Sequence, residues 1–161
     1  MNKKIFPASF AAVLFFANIA SAADCDIGRL DIMSDGNSSR FFVEIADDNA
    51  ERARGLMERE YMAPFSGMLF IYDRPARISF WMRNTLIPLD MLFIDSSGVV
   101  QKIHENATPL DETPIPGGDN IQYVLEINGS LSSMLNISEG ARIRHPQINQ
   151  ELAIWPCDDK N

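Results

Sequence analysis

Two apolar segments on either side of a short polar bend, within residues 80–95, most constrain what this chain can fold into. Residues 78–83 alternate between apolar and other side chains, which is the period-two pattern of a β-strand with unlike faces. Residues 91–94 form a continuous apolar run suited to a buried strand. Pro88 lacks an amide hydrogen and interrupts strand pairing. The pattern predicts two strands joined by a bend.

The remaining chain carries further strand signals separated by turn residues. Turn signals at 35–37 and 95–98 each precede an apolar segment, and Asp48 with Glu51 has the spacing of a helix capping box. We expect a long loop at 105–120, a lid or rim, because it holds three prolines. The predicted fold is mostly β, an antiparallel β-sandwich or barrel-like domain with two short helices. The predicted strands are 27–33, 41–46, 67–72, 99–104, 121–127 and 141–145, and the predicted helices are 48–54 and 129–135.

The first residues have the pattern of a targeting segment. Lys3 and Lys4 precede an apolar run, and Ala20-Ser21-Ala22 fits the small-residue cleavage site of a secretory signal peptide. We therefore predict a signal peptide at 1–22 and one domain at 23–161, located in the periplasm or secreted. The apolar run is shorter than the ~20 residues that span a bilayer, so no membrane association is expected after cleavage.

The chain is acidic, which narrows the classes of partner. It has 22 acidic and 14 basic residues, a net charge of −8, and removal of Lys3 and Lys4 makes this two units more negative. Nucleic acids and anionic membrane surfaces require a basic surface on the protein. We therefore expect no nucleic-acid partner.

Cys25 and Cys157 are the only two cysteines. In an oxidising compartment an even pair indicates a disulfide, and this one would link the two ends of the mature chain. No Cys-x-x-Cys spacing indicates a redox or metal pair. We predict a structural disulfide.

Four separated motifs resemble those of a bacterial and archaeal family, domain of unknown function 192. They are the segment 80–95, Gly55-Leu56-Met57-Glu58-Arg59, Gly67-Met68-Leu69-Phe70 and Tyr123-Val124-Leu125-Glu126-Ile127, in that family's order. The similarity extends from about Arg40 to Arg144. It implies a compact, mostly β domain of sandwich or barrel type and supplies no activity. Relatives usually have Lys at the position of Arg83 and Gly-Asp where this chain has Gly140-Ala141.

The strongest candidate site is a cluster of polar residues around the predicted bend. Guanidinium groups bind carboxylates or hydroxyls, amides both donate and accept, and an indole ring offers a stacking surface for a sugar. A purely structural interpretation is the alternative, in which Arg83 pairs with Asp90 or Glu126 and ties the bend. The candidate ligand-binding residues are Arg54, Arg59, Trp81, Arg83, Asn84, Thr85, Asp90 and Glu126.

Three other functions stay open at this point. Paired carboxylates among Asp90, Glu126 and Glu44 would suit a carbohydrate hydrolase. Thioethers of Met57, Met62, Met68, Met82 and Met91, with His104, would suit Cu(I) in a secreted protein. An apolar patch around Trp81 or Trp155 would suit a protein-interaction module.

The preferred interpretation is a non-catalytic binding module for a small polar ligand such as a saccharide or carboxylate. No phosphate-binding glycine loop, His-x-x-His pair or Gly-x-Ser-x-Gly motif indicates a cofactor, a metal or a nucleophilic enzyme. We therefore expect no cofactor and no resident metal. The ligand's identity and the oligomeric state are open from sequence.

Overall fold

The computed structural model describes residues 25–158, which form one β-rich domain with seven strands and two short helices. The strands pair in the order β5-β4-β6-β3-β2-β1-β7, and every pair is antiparallel except β2 with β3, which is parallel. The predicted fold class is confirmed. The elements are β1 (Arg29–Ser34), β2 (Asn37–Ala46), α1 (Asn49–Arg54), β3 (Ser66–Phe80), β4 (Leu89–Ile94), β5 (Val100–Ala107), β6 (Ile115–Asn128), α2 (Leu131–Met134) and β7 (Arg142–Arg144).

The sheet curls until its two edges meet. Val99, just before β5, pairs with Arg142 in β7, and the amide of Ile143 donates to the carbonyl of Gly98. One face of the sheet is thereby enclosed around an inner core with members from all seven strands. A second cluster, the outer core, covers the opposite face of β3, β4 and β6, and it includes Leu56, Met62, Phe70, Met82 and Met91.

The local sequence signals give the first hairpin and helix as expected. β1 and β2 pair around the Asp35-Gly36 turn. Asp48 accepts from the amide of Glu51 at 2.8 Å while the Glu51 carboxylate accepts from the amide of Asp48, which completes the capping box that begins α1. The hairpin and the helix N-terminus could be predicted because each depends on only a few residues that are adjacent in sequence.

The central prediction of two strands joined by a bend is wrong in its pairing. Residues 66–80 form one long strand, β3, and β6 lies between β3 and β4 and pairs with both. Pro75 is tolerated within β3 because the β3–β6 register shifts between Ile71 and Ala76, so no ladder hydrogen bond requires its missing amide hydrogen. Alternation indicates a strand but does not identify its partner.

The predicted long loop at 105–120 is also wrong. Its first residues complete β5 and its last residues, from Ile115, begin β6, so only 108–114 connect the two strands. Pro116 is tolerated because this end of β6 pairs with β3 alone, which leaves its other edge without a partner strand. The segment is therefore mostly sheet.

Cys25 and Cys157 form a disulfide across a sequence separation of 132, with their Cα atoms 5.6 Å apart. The predicted signal peptide, 1–22, lies outside the described residues. Within residues 25–158 no helix is both long and apolar enough to cross a membrane.

Gly117→Ala should lower the free energy of unfolding by about 2 kcal/mol, because extra atoms in a packed core force neighbours aside. A Cβ atom at this buried position of β6 would overlap the ring of Phe93. Urea unfolding measures the change. Gly28→Ala is the matched control, since its Cβ would meet no atom nearer than 3.4 Å, and its unfolding midpoint should stay close to that of the parent. Equal midpoints for all three proteins would contradict the packing argument.

Candidate functional site

Glu126 is a buried carboxyl group in the outer core. It lies on β6 directly opposite Met68 of β3 and Met91 of β4, so both flanking side chains on its face of the sheet are apolar. Only 4% of the residue is exposed, and this burial raises the pKa of Glu126 to about 8. The group is therefore mostly a neutral carboxylic acid at pH 7.

No hydrogen-bond donor or acceptor within residues 25–158 pairs with the Glu126 carboxyl, although most buried polar groups in proteins are paired. The carboxyl lines a narrow pocket of about 40 Å³ instead. The pocket's other lining residues are Arg52, Ala53, Arg54, Gly55, Leu56, Met57, Phe70, Phe80, Trp81 and Thr85.

Aromatic rings form one side of this pocket, which we call the Glu126 pocket. The ring of Phe80 packs edge-to-face against Phe70, with centroids 5.0 Å apart, and against Phe93 at 6.0 Å. Trp81 is 47% exposed at the rim, and the guanidinium of Arg83 lies over its ring, 5.6 Å from the centroid. These contacts fix the rings in place before any ligand arrives.

The turn after α1 forms the opposite side. Gly55 has φ 49° and ψ −133°, a conformation that glycine adopts far more readily than other residues. A Cβ atom there would lie 3.0 Å from the ring of Phe70. This tight turn brings Leu56 and Met57 against the pocket. Sequence predicted a glycine that ends the helix, and the close approach to Phe70 is a second reason for it.

A second cavity of about 460 Å³ adjoins the Glu126 pocket, with which it shares Arg54, Gly55 and Met57. Across it, Arg59 donates two hydrogen bonds of 2.5 Å to the carboxylate of Glu44, and this pairing lowers the pKa of Glu44. Arg54 is exposed between the two cavities and makes no ion pair within residues 25–158. Its guanidinium is therefore available to a ligand.

Arg52 lines the Glu126 pocket, and three of its N–H groups bond to the surrounding protein. It donates to the carbonyls of Asp47 and Ile71 and to the side chain of Asn49, and it lies 5.2 Å from the ring centroid of Tyr72. Arg52 holds α1 against β3. It is a structural residue of the pocket wall.

The structure brings four of the predicted ligand-binding residues together and separates the others. Arg54, Trp81, Thr85 and Glu126 line the Glu126 pocket. Arg59 lines the second cavity. Sequence reasoning missed Leu56, Phe70 and Phe80, which are distant in sequence from one another. Glu126 itself had a signal, because it is the one charged residue in the apolar strand 121–127.

Two residues of the predicted cluster have other contacts. Asn84 has φ 53°, and its carbonyl accepts from the amide of Glu58 at 2.7 Å, so it links two surface turns. Arg83 contacts Trp81 and makes no ion pair among the described residues. The predicted ion pair from Arg83 to Asp90 or Glu126 is therefore wrong.

Asp90 lies on the inner face of the sheet and is fully buried. Its carboxylate accepts from the amides of Asn106, Ser130 and Ser132, each at 2.8 Å, and from the Ser132 hydroxyl at 2.5 Å. Ser130 makes no side-chain cap to α2, so Asp90 caps this short helix from another strand. Asp90 is a structural residue and not part of the pocket.

The hydrolase alternative that pairs Asp90 with Glu126 is contradicted by this geometry. Asp90 is opposite Ile127 and Glu126 is opposite Met91, so the two carboxyl groups project from opposite faces of the sheet. Glu44 is exposed and bound to Arg59. It is on the same face of the sheet as Glu126, on the other side of Met68, and lines the second cavity.

Most of the methionines considered for copper binding lie in the outer core. Met62, Met68, Met82 and Met91 are buried there, where methionine commonly fills space between strands. Within residues 25–158 no cluster of three or more His, Cys, Asp or Glu residues is arranged to hold a metal ion. Copper binding stays a prediction.

The interaction-module alternative predicted an apolar patch around Trp81 or Trp155. Trp81 is exposed, whereas Trp155 is half-buried, with the guanidinium of Arg144 4.6 Å from its ring centroid.

Comparison with known proteins places the chain in a family without an assigned activity. Residues 31–145 match the model of DUF192, described as an uncharacterized ACR. A protein of unknown function from Novosphingobium aromaticivorans DSM 12444 is similar in structure, with 39% identity, coverage of 71% of this chain and 82% of that one, and a TM-score of 0.70. A putative transcription regulator from Sinorhizobium meliloti 1021 is also similar, with 39% identity, coverage of 75% and 95%, and a TM-score of 0.71.

None of the curated proteins matches the chain significantly. The family match covers most of the sheet, from β1 to the residue after β7, and contains the whole Glu126 pocket. The fold that the four sequence motifs implied is the fold observed. The chain therefore belongs to the DUF192 family, as its motifs indicate.

Proposed function

We propose that this protein is a non-catalytic binding module for a small polar ligand, acting in the periplasm or outside the cell. The observation that carries the proposal is the Glu126 carboxyl, which is buried, has no protein partner and lines a pocket. An unpaired buried carboxyl lowers the stability of a fold. A ligand that supplies the missing hydrogen bonds would account for its presence.

The two cavities together suit a ligand of modest size. The second cavity, at about 460 Å³, is within the usual range for small-molecule sites, whereas the Glu126 pocket, at about 40 Å³, accommodates one functional group. We infer that one group of the ligand enters the Glu126 pocket while the remainder occupies the larger cavity. Arg54 would bind an anionic or hydroxyl group there, and Trp81 would stack on a ring.

The acidic surface supports a small molecule over nucleic acid as the partner. The Sinorhizobium relative is described as a putative transcription regulator. This chain has a net charge of −8, which opposes contact with a phosphate backbone. A small ligand bound through a few directed contacts avoids that repulsion.

Individual addition of glucose, acetate, β-alanine and ethylammonium to the ¹⁵N-labelled domain tests the proposal by NMR. At least one compound should shift the amides of residues 53–57 and Thr85 in a saturable manner. Glu126→Met fills the same space without a polar group and should abolish those shifts while the fold is retained. Absence of saturable shifts at these residues with all four compounds would contradict a binding function.

A further inference from the structure

Three features of the Glu126 pocket suit a cationic donor: the Glu126 carboxyl, the Thr85 hydroxyl oxygen and the aromatic rings. The carboxyl of Glu126 has no partner within residues 25–158 and, when ionised, only accepts. The Thr85 hydroxyl donates its hydrogen to the carbonyl of Arg83 at 3.3 Å, which leaves its lone pairs for another donor. The rings of Phe70, Phe80 and Trp81 present π-electrons, which attract cations.

Donors near the pocket are directed elsewhere. The guanidinium of Arg52 is bonded to the carbonyl of Ile71 and the side chain of Asn49 and lies over Tyr72. Arg54 is exposed at the boundary with the second cavity. Neither guanidinium bonds to Glu126, so a donor from the ligand would be the first partner of the Glu126 carboxylate, which has none among residues 25–158.

We propose that the Glu126 pocket receives a protonated primary amine of the ligand, with Glu126 as its counter-ion and the aromatic rings around it. This deepens the proposed function and rests on it, because it names the group that enters the pocket. A primary ammonium has three donors, which can bond to the ionised Glu126 carboxylate and to the Thr85 hydroxyl oxygen. The pocket volume of about 40 Å³ holds an ammonium with the carbon attached to it, and it excludes a sugar ring.

Arg54 defines the other end of the same ligand. Its guanidinium lies beyond the pocket, on the wall that both cavities share. A cation there disfavours a ligand that is only an amine, but it pairs well with a carboxylate or phosphate a few bonds from the amine. The ligand class is therefore a small zwitterion with a primary amine and an anionic group.

Binding of the amine is coupled to release of a proton. In the free protein Glu126 is mostly a carboxylic acid at pH 7, since burial raises its pKa to about 8. The ammonium pairs with the carboxylate, so the carboxyl O–H bond breaks and its proton passes to solvent. Below pH 8 the affinity should therefore increase about tenfold for each unit by which the pH is raised. Above pH 8 it should level off.

Other charged groups around the pocket contribute little to this dependence. Burial raises the pKa of Tyr72, so its phenol stays neutral across this pH range. His104 lies on the same face of the sheet, on β5 beyond Met91. Imidazole side chains commonly act as pH-dependent groups in proteins, so a His104 variant serves as the control.

Ethylammonium and β-alanine, titrated into the full domain from pH 6 to pH 8, test the proposal. Both dissociation constants should fall about tenfold between pH 6 and pH 7, and calorimetry in two buffers of different ionisation enthalpy should detect close to one proton released at pH 6.5. Glu126→Gln should weaken both compounds and remove the pH dependence. His104→Asn should retain that dependence. Arg54→Ala should weaken β-alanine.

The outcomes separate this inference from the function on which it rests. Saturable shifts of the pocket amides with acetate or glucose but not with either amine would overturn the amine and leave a binding function standing. Binding of the amines without proton release would also overturn it. Shifts that persist unchanged in Glu126→Gln would place the amine elsewhere. Absence of any binding would contradict the proposed function itself.

Discussion

Glu126→Gln should raise the free energy of unfolding at pH 8 by about 4 kcal/mol. Burial raises the pKa of Glu126 from 4.5 to about 8 in the folded protein. Between these two values the folded state holds a proton that the unfolded chain has released. The parent protein therefore loses stability as the pH rises through this window, whereas a neutral glutamine side chain avoids the loss.

Urea unfolding from pH 4.5 to pH 8 measures the difference between the two proteins. They should be about equally stable at pH 4.5 and diverge as the pH rises. Burial lowers the pKa of His145, which gives a slope of opposite sign, but this contribution is the same in both proteins and cancels. Glu105→Gln removes an exposed carboxylate from β5 and should follow the parent curve. Parallel curves for Glu126→Gln and the parent would mean that folding does not raise the pKa of Glu126.

Asp90→Asn should lower the free energy of unfolding by about 4 kcal/mol and the melting temperature by more than about 10 °C. The Asp90 carboxylate accepts four hydrogen bonds, three from backbone amides and one from Ser132. Asparagine replaces one acceptor oxygen with an NH₂ group that faces donors. Buried amides would then lose their partners, and α2 would lose its cap.

Thermal unfolding of the oxidised domain, followed by circular dichroism, checks this expectation. Asp73→Asn is the matched control because Asp73 is exposed on β3, and it should melt with the parent. If Asp90→Asn does not fold, Ser132→Ala provides a milder test, since it removes one of the four donors and should lower the stability by about 1 kcal/mol. Melting temperatures equal to that of the parent would contradict the structural role of Asp90.

Features determined by neighbouring residues were predictable from the sequence. The β1–β2 hairpin follows from a turn between two alternating segments, and α1 from a capping box at Asp48 and Glu51. The two cysteines were predicted to pair because no other partner exists in the sequence. Each of these depends on residue type and spacing alone.

Pairing between distant strands was not predictable in the same way. β3 and β4 are close in sequence, yet β6 separates them in the sheet, because the apolar strand 121–127 can cover two neighbours at once. The prolines of 105–120 led to the prediction of a loop, but Pro116 lies in β6 where one edge of that strand has no partner. A period-two pattern carries no information about which strand is adjacent.

The site was predicted in part for the same reason. Polar residues near the bend were expected to converge, and Trp81 and Thr85 do reach the pocket. Asp90 is five residues from Thr85 but faces the inner core, because its side of β4 depends on the register with β6. A charged residue between apolar neighbours, as at Glu126, was the more informative signal.

The disulfide determines how this domain responds to mechanical force. Because Cys25 is bonded to Cys157, tension applied through the chain on either side enters and leaves the domain at one covalent link. The strands between them form a closed loop that carries no load. The curled sheet and the Glu126 pocket are thereby shielded from pulling in an oxidising compartment, and reduction of this single bond exposes the whole fold between the two cysteines to extension.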